Sequence, residues 1–246
     1  MIPLIDTHCH LDLFKDILVN ASKEDDLGIK TITVTNAPSF FKPNQNLFQF
    51  SKNIRTALGL HPQLVDKYIG EISLFDSLIK GVRYVGEVGL DGSAEYQDSY
   101  ISQVKALEKV LVLIRKNDNK IITVHSRSAA SDTIDTVHGH LKGTKNKVIL
   151  HWFSGTPGDL AKAVSNGFYF SINHKMVNTE KGKELIKHMP KDHLLTETDA
   201  PFTFDKQVTG RVQSLTIAIN GIAAIHRTTP EEIRSMIFEN FRRLVG

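Results

Sequence analysis

The chain has 246 residues, of which 41% are hydrophobic and 23% are charged, as in a globular protein with enough chain for one large core. We therefore expect a single domain over residues 1–246. The formal net charge is only +3, whereas a dedicated nucleic-acid-binding module carries a dense cluster of basic residues.

Cysteine content and hydropathy bear on the compartment. The only cysteine, Cys9, cannot form an internal disulfide, which fits a reducing cytoplasm. No apolar run approaches the roughly 20 residues that a membrane helix needs, and the N-terminus lacks the basic region and long apolar stretch of a signal peptide. These features predict a cytoplasmic protein without a membrane segment.

Eight short β-branched or apolar runs are predicted to form strands. In chain order they are IPLID, TITVTNA, RTALGLHP, VRYVGEVGLD, KIITVHS, KVILHWF, FYFSIN and HLLTETDAP. Segments with helical spacing lie between them, and the clearest runs from Gln97 to Lys116. Further helices are predicted near residues 157–166, 179–188, 212–226 and 229–246, and residues 43–46 are predicted to be a loop.

This alternation of strands and helices predicts an α/β fold. The strands are too uniformly apolar to have a solvent-exposed face, as in sheets of parallel strands covered by helices. Over a chain of this length the pattern favours a TIM (β/α)8 barrel, and a doubly wound sheet is the alternative.

Five potential metal ligands lie at the ends of predicted strands. His8 and His10 are two apart on an extended segment, so both side chains point to the same face. His125, His151 and Asp199 each lie at the end of a later run. Imidazole and carboxylate groups suit divalent ions such as Zn, Mn or Ni, so the residues predict a metal-dependent enzyme. Asp199 is also a candidate acceptor for the proton of an attacking water.

Glu87 lies within the apolar run YVGEVGLD. A lone buried carboxylate costs several kcal/mol unless it is paired or binds a cation. A metal ion is therefore one expected partner of Glu87, and a buried salt bridge is the alternative.

Three other polar residues are candidate substrate contacts. Arg127 follows His125 directly and could bind a phosphate or a carboxylate, or else form a salt bridge with a neighbouring loop. His61 ends the third run and either faces the same mouth or is a structural histidine. Glu197, two residues before Asp199, could contact the substrate, support a metal ligand or form a salt bridge. Trp152, Phe153 and Phe202 are candidates for stacking on bases, with core packing as the alternative.

The motifs DTHCHLD, LGLHPQL, VGEVGLD, HSRSAASD, HWFSG and ETDAP occur in this order between Leu4 and Leu244. Together they resemble the successive motifs of the TatD-like metal-dependent deoxyribonucleases. The resemblance implies a TIM barrel with one or two divalent ions, for example Zn, Mg, Mn or Ni, at the C-terminal mouth. It makes His8, His10, Glu87, His125, His151 and Asp199 the metal ligands, with Glu87 as the bridge and, with Asp199, a catalytic residue.

Within this family, the segments RTALGLHPQL, YVGEVGLDGS and LTETDAPF are similar to the TatD-like component of the Qat anti-phage defence system. The resemblance implies DNA, as a single strand or a duplex end, as the substrate and other Qat proteins as partners. After ETDAP, however, the chain has TFDKQVTGRVQSL in place of the family's Arg-Gly-x-x-Asn-x-Pro stretch. Two alternatives remain: an amidohydrolase or deacylase, which would act on a small amide, an ester or aminoacyl-tRNA, and a subunit of a defence complex that mainly binds.

Overall fold

The computed structural model describes residues 2–246, which form eight strands and ten α-helices. The strands are β1 (Ile5–Cys9), β2 (Lys30–Thr33), β3 (Ile54–Thr56), β4 (Tyr84–Gly89), β5 (Ile121–His125), β6 (Lys147–His151), β7 (Tyr169–Ile172) and β8 (Leu194–Thr196). The helices are α1 (Ile17–Asp26), α2 (Pro38–Leu47), α3 (Val65–Tyr68), α4 (Ile72–Ile79), α5 (Tyr100–Lys116), α6 (Ala130–Leu141), α7 (Pro157–Ser165), α8 (Glu180–His188), α9 (Arg211–His226) and α10 (Pro230–Val245).

The strands are parallel and follow one another in chain order around a barrel. Two ladders, β1–β2–β3 and β4–β8, are joined by a bridge between Leu58 and Val85. The barrel closes where the Oγ1 of Thr196 donates to the carbonyl of Ile5 at 2.6 Å. In a doubly wound sheet the strand order reverses at a switch point. The strands of this chain follow chain order without such a reversal. The predicted TIM barrel is therefore confirmed.

Alternation along the strands places the potential ligands on the interior face. Ile121, Ile149 and Leu195 belong to one buried apolar layer, which Leu244 of α10 joins. His125 and His151 lie an even number of residues beyond Ile121 and Ile149 on the same strands, so they point into the same interior.

Glu87 reaches the interior through an irregularity in β4. Val85 pairs with Ile122 but Val88 pairs with Val124, so β4 has one more residue than β5 between these two pairs. Val85 and Val88 both belong to the main hydrophobic core. The bulge between them turns the Glu87 side chain to the opposite side, and bulges of this kind re-aim side chains next to active sites.

One local prediction was wrong. Residues 43–46, predicted to be a loop, lie within α2, which contains Pro43 inside the helix. Pro43 faces solvent, whereas Phe41 and Asn44 bury the opposite face of the helix. The buried face offsets the hydrogen bond that proline removes from a helix. Within the described residues, no helix is both long and apolar enough to cross a membrane.

Candidate metal centre

The six predicted ligands converge at the C-terminal mouth of the barrel. Three overlapping groups bring one ligand atom from each member within 4.8 Å of the others. The groups are His8, His151 and Asp199; His8, His10 and Glu87; and His61, Glu87 and His125. All of these side chains are buried, so the cluster is shielded from bulk water.

Glu87 lies at the centre of this cluster, and its two oxygens face different histidines. Oε2 lies 3.3 Å from His8 Nε2 and 3.2 Å from His10 Nε2. Oε1 lies 2.7 Å from His125 Nδ1 and 2.9 Å from His151 Nε2. Asp199 Oδ1 lies on the first side, 3.7 Å from His8 and 3.6 Å from His10. By their contacts with Glu87, the candidate ligands therefore divide into two sets that share this carboxylate, and His151 also lies within 4.8 Å of His8 and Asp199.

The chemistry of this donor set fits divalent cations. His8 Nε2 is buried and has no hydrogen-bond partner among the described residues, although it faces two carboxylates. Nδ1 of the same ring contacts Thr123 Oγ1 at 2.6 Å, which leaves Nε2 directed at the cluster. A neutral imidazole nitrogen and a carboxylate oxygen both present lone pairs, and a cation satisfies both.

The pKa values of Glu87 and His151 also indicate that positive charge stabilises the cluster. Burial favours the neutral form of Glu87, but His61, His151 and His8 hold its pKa well below the usual range. Burial disfavours a charged ring at His151, but Glu87 and Glu197 raise its pKa well above the usual value. When no ion is bound, protonated imidazole balances the buried carboxylate. A divalent ion supplies this charge instead.

Asp199 differs from Glu87 because burial dominates its environment. Burial raises the pKa of Asp199 to about 7, against the opposing effects of His151 and His10. Its backbone lies in the left-handed region, with a φ of 48°, which is uncommon for a non-glycine residue and frequent at functional sites.

His61 lies in the cluster, but it is oriented as a hydrogen-bond donor. The backbone N–H of Gln63 donates to His61 Nδ1 at 3.2 Å, so a neutral ring carries its hydrogen on Nε2. That Nε2 lies 3.2 Å from Glu87 Oε2. A ring in this tautomer has no lone pair left for a metal ion.

Asp91 belongs to the site although the sequence did not single it out. Its Oδ2 accepts hydrogen bonds from His125 Nε2 at 2.9 Å and from the side chain of Gln63 at 2.7 Å. The bond from His125 leaves Nδ1 of that ring to face Glu87. Such carboxylate partners orient metal-binding histidines. Its place four residues after Glu87, just beyond the end of β4, is the signal that could have identified it.

Glu197, expected as a possible substrate contact, lies behind His151 and not in the cavity. Its side chain is fully buried and accepts hydrogen bonds from Ser171 Oγ, from Asn173 Nδ2 at 2.9 Å and from the backbone N–H of Trp152 at 3.1 Å. Its Oε1 lies 3.9 Å from His151 Nδ1. This position fits the other expectation for Glu197, namely that it lies behind a candidate metal ligand, here His151, and helps to hold it in place.

A cavity of about 630 Å³ opens above the cluster. Its lining includes Arg127, Tyr96, Trp152 and Phe202, of which Phe202 is 61% exposed at the solvent edge. No acidic side chain of the described residues forms a salt bridge with Arg127, whereas a salt bridge was one expectation for it. Phe153, also considered for the rim, packs in the core against Phe170.

A family model described as TatD related DNase matches residues 5–246. The chain belongs to this family. Deoxyribonuclease TATDN3 of Homo sapiens is 26% identical over 263 residues, which cover 98% of this chain and 94% of that protein. An uncharacterized metal-dependent hydrolase of Buchnera aphidicola is 32% identical over 221 residues, which cover 81% of each chain.

The fold of the TatD family is also found in solved structures. The crystal structure of YJJV, a TatD homologue from Escherichia coli K12, superposes with a TM-score of 0.88 at 23% identity and covers 99% of this chain and 98% of that one. The predicted membership of the TatD-like metal-dependent DNases is confirmed. This TatD-family chain is a metal-dependent hydrolase whose cofactor is one or more divalent metal ions.

Proposed function

We propose that this hydrolase cleaves phosphodiester bonds of DNA at strand ends or in single strands. The observation that carries the proposal is the division of the ligands around Glu87, because two ions that share one carboxylate suit the in-line displacement of a phosphodiester. One set comprises His8, His10 and Asp199, and the other comprises His125 and His151. Divalent ions bound there would lower the pKa of water and offset the negative charge of the phosphate.

Asp199 and His61 have distinct roles in the proposed reaction. Asp199 accepts the proton of the attacking water, because its carboxylate lines the cavity beside the ligand cluster. The N–H of His61 lies 3.2 Å from Glu87 Oε2 at the cavity wall, and it would donate to an oxygen of the phosphate once Glu87 binds metal. Both side chains line the cavity, so both can reach a bound substrate.

The outer cavity suits an unpaired nucleotide. Arg127 is available for a bidentate contact with a phosphate, because no acidic group of the described chain neutralises it. Tyr96, Trp152 and Phe202 provide aromatic faces on which bases can stack. The guanidinium favours an anionic substrate over a small neutral amide or ester, whereas aminoacyl-tRNA shares the phosphates of DNA.

We extend the proposal to a cytoplasmic role in anti-phage defence, with other Qat proteins as partners. Its support is the similarity of the RTALGLHPQL and LTETDAPF segments to the Qat component. Co-expression of the tagged chain with the other proteins of a Qat system tests the association. Plaque counts with wild type and Asp199→Asn test whether the hydrolase activity contributes to defence.

The activity itself is tested with purified protein, each metal in turn and end-labelled single-stranded or duplex DNA. We expect cleavage by wild type, and a loss of at least about 100-fold in His125→Ala and Asp199→Asn. His188→Ala, which changes an exposed histidine on α8, is the matched control and should retain full activity. Cleavage unchanged in the first two variants would refute the proposed site. Hydrolysis of an ester or amide without DNA cleavage would favour the alternative reaction.

A further inference from the structure

The barrel closes at a seam that joins two segments bearing candidate ligands. The N–H of Asp199 donates to the carbonyl of His8 at 2.8 Å, and the N–H of His10 donates to the carbonyl of Ala200 at 2.8 Å. The relative position of His8, His10 and Asp199 therefore depends on how β1 meets the segment that follows β8.

The side chain of Asp6 connects the two segments of this seam by hydrogen bonds. Its Oδ1 accepts the backbone N–H of Thr198 at 2.9 Å, and its Oδ2 accepts the Thr198 hydroxyl at 2.8 Å. Asp6 lies two residues before His8, and Thr198 directly precedes Asp199. Both side chains are fully buried. One carboxylate thus ties together the backbones that present the ligands of one set.

Arg211, at the start of α9, supplies the positive charge that this buried carboxylate requires. Its Nε donates to Asp6 Oδ2 at 3.0 Å and its Nη1 donates to Glu24 Oε2 at 3.0 Å. Its Nη2 donates to the hydroxyl of Thr31 on β2. The guanidinium is therefore fixed by partners from three elements. Arg211 lies within TFDKQVTGRVQSL, the stretch in which the chain departs from the family pattern.

We propose that Asp6 and Arg211 are positioning residues that set the distance between the His8/His10 pair and Asp199. They would thereby control the affinity of one of two metal ions. Neither residue lines the cavity, so neither contacts the substrate. The second ion depends on a different support, since Asp91 orients His125 from the other side of the cluster. This inference rests on the ligand assignment of the proposed function.

The choice of variants must separate positioning from folding. Removing one partner of a buried ion pair leaves an uncompensated charge and can unfold the protein. Asp6→Asn keeps the shape of the side chain and one acceptor oxygen. Thr198→Val removes the hydroxyl that donates to Asp6 and accepts the N–H of Ala200, and it removes no charge, so it tests the seam even if the charge variant fails to fold. Asp91→Asn is the matched variant for the other ion.

The experiment is a titration of each folded protein with Mn²⁺ alone, by calorimetry and elemental analysis, with thermal unfolding to confirm the fold. We expect Asp6→Asn and Thr198→Val to lower the affinity for one ion by about 10- to 100-fold. The affinity for the other ion should stay within about twofold of the wild-type value. Asp91→Asn should instead lower the affinity for the other ion. Unchanged affinities in the folded seam variants, or equal weakening of both ions, would overturn the proposal.

This titration does not require DNA. A wild type that binds two ions selectively but does not cleave DNA would refute the proposed function and leave the role of the seam supported. A wild type that binds a single ion, whose affinity Thr198→Val does not alter, would overturn the role of the seam.

Discussion

Glu87 and His125 contact each other at 2.7 Å, and this contact defines one side of the candidate metal centre. The His125 ring is held at its other nitrogen by Asp91, so its Nδ1 is directed at Glu87. The second oxygen of Glu87 faces His8, His10 and His61. A single carboxylate therefore separates two groups of imidazoles in a buried site.

His61→Leu should separate donation to the substrate from metal binding. Because the Gln63 N–H occupies His61 Nδ1, we expect the variant to retain the metal content of wild type. We also expect kcat/KM for DNA to fall by about 100-fold, because the donor to the phosphate is lost. Elemental analysis and steady-state kinetics on the same preparation measure both quantities. Loss of an ion would instead make His61 a ligand.

Arg127→Ala should weaken DNA binding without changing metal content. We expect KM for a short single strand to rise by about tenfold, because a guanidinium contact with the phosphate is removed. The dependence of log(kcat/KM) on log salt should also become shallower by roughly one unit. Lys187→Ala, which removes an exposed lysine from α8, is the control. Equal KM and salt dependence in Arg127→Ala and wild type would exclude the contact.

Phe202→Ala should lower affinity for single-stranded DNA through loss of stacking. A base stacked on an aromatic ring contributes about 1–3 kcal/mol, so we expect Kd to rise by about fivefold or more. Phe50→Ala removes a ring that is 89% exposed and does not line the cavity, and it should leave Kd unchanged. Fluorescence anisotropy with a labelled oligonucleotide measures both. A parallel rise in both variants would argue against a specific stack.

Metal affinity should increase with pH between about 5 and 8, because binding displaces protons from the ligands. Burial raises the pKa of Asp199 to about 7, and carboxylates raise the pKa of His151 above its usual value despite burial. Both groups hold protons below pH 7 that a metal must displace, so acid weakens binding. Calorimetry in buffers of different ionisation enthalpy should show net proton release at pH 6. Binding without proton release would contradict these shifts.

Metal removal should lower stability, and more so at pH 8 than at pH 5.5. A ligand that binds only the folded state at 100 times its Kd stabilises that state by about 2.7 kcal/mol. Because affinity is expected to be higher at alkaline pH, chelation should lower Tm more there. Differential scanning calorimetry with and without chelator measures the two shifts. An equal shift at both pH values would indicate that protonation does not oppose binding.

Periodicity was sufficient to predict the barrel and the inward orientation of most candidate ligands. His125 and His151 end apolar strands, so the alternation that buries Ile121 and Ile149 also directs these imidazoles inward. Glu87 was predicted from the cost of its burial and from the family motif. The bulge that turns it inward depends on pairing with β5, which local sequence does not encode.

Features that depend on tertiary contacts were not predicted. Asp91 acts through the ring of His125, 34 positions away in the chain, and no local pattern signals that pairing. Helix α2 forms around Pro43 because Phe41 and Asn44 are buried against the barrel, which overrides the local preference for a loop. For Glu197 the sequence left more than one role open, because its partners lie on β7 and in the two segments that follow β6 and β7.

The role of Glu87 as a shared ligand is tested most directly by electron paramagnetic resonance of the protein loaded with Mn²⁺. Wild type should bind two ions and show the signal of an exchange-coupled pair, because one carboxylate joins them. Glu87→Gln should lose the coupled signal and bind at most one ion. A coupled pair that persists in Glu87→Gln, or isolated Mn²⁺ in wild type at saturation, would contradict a centre bridged by Glu87.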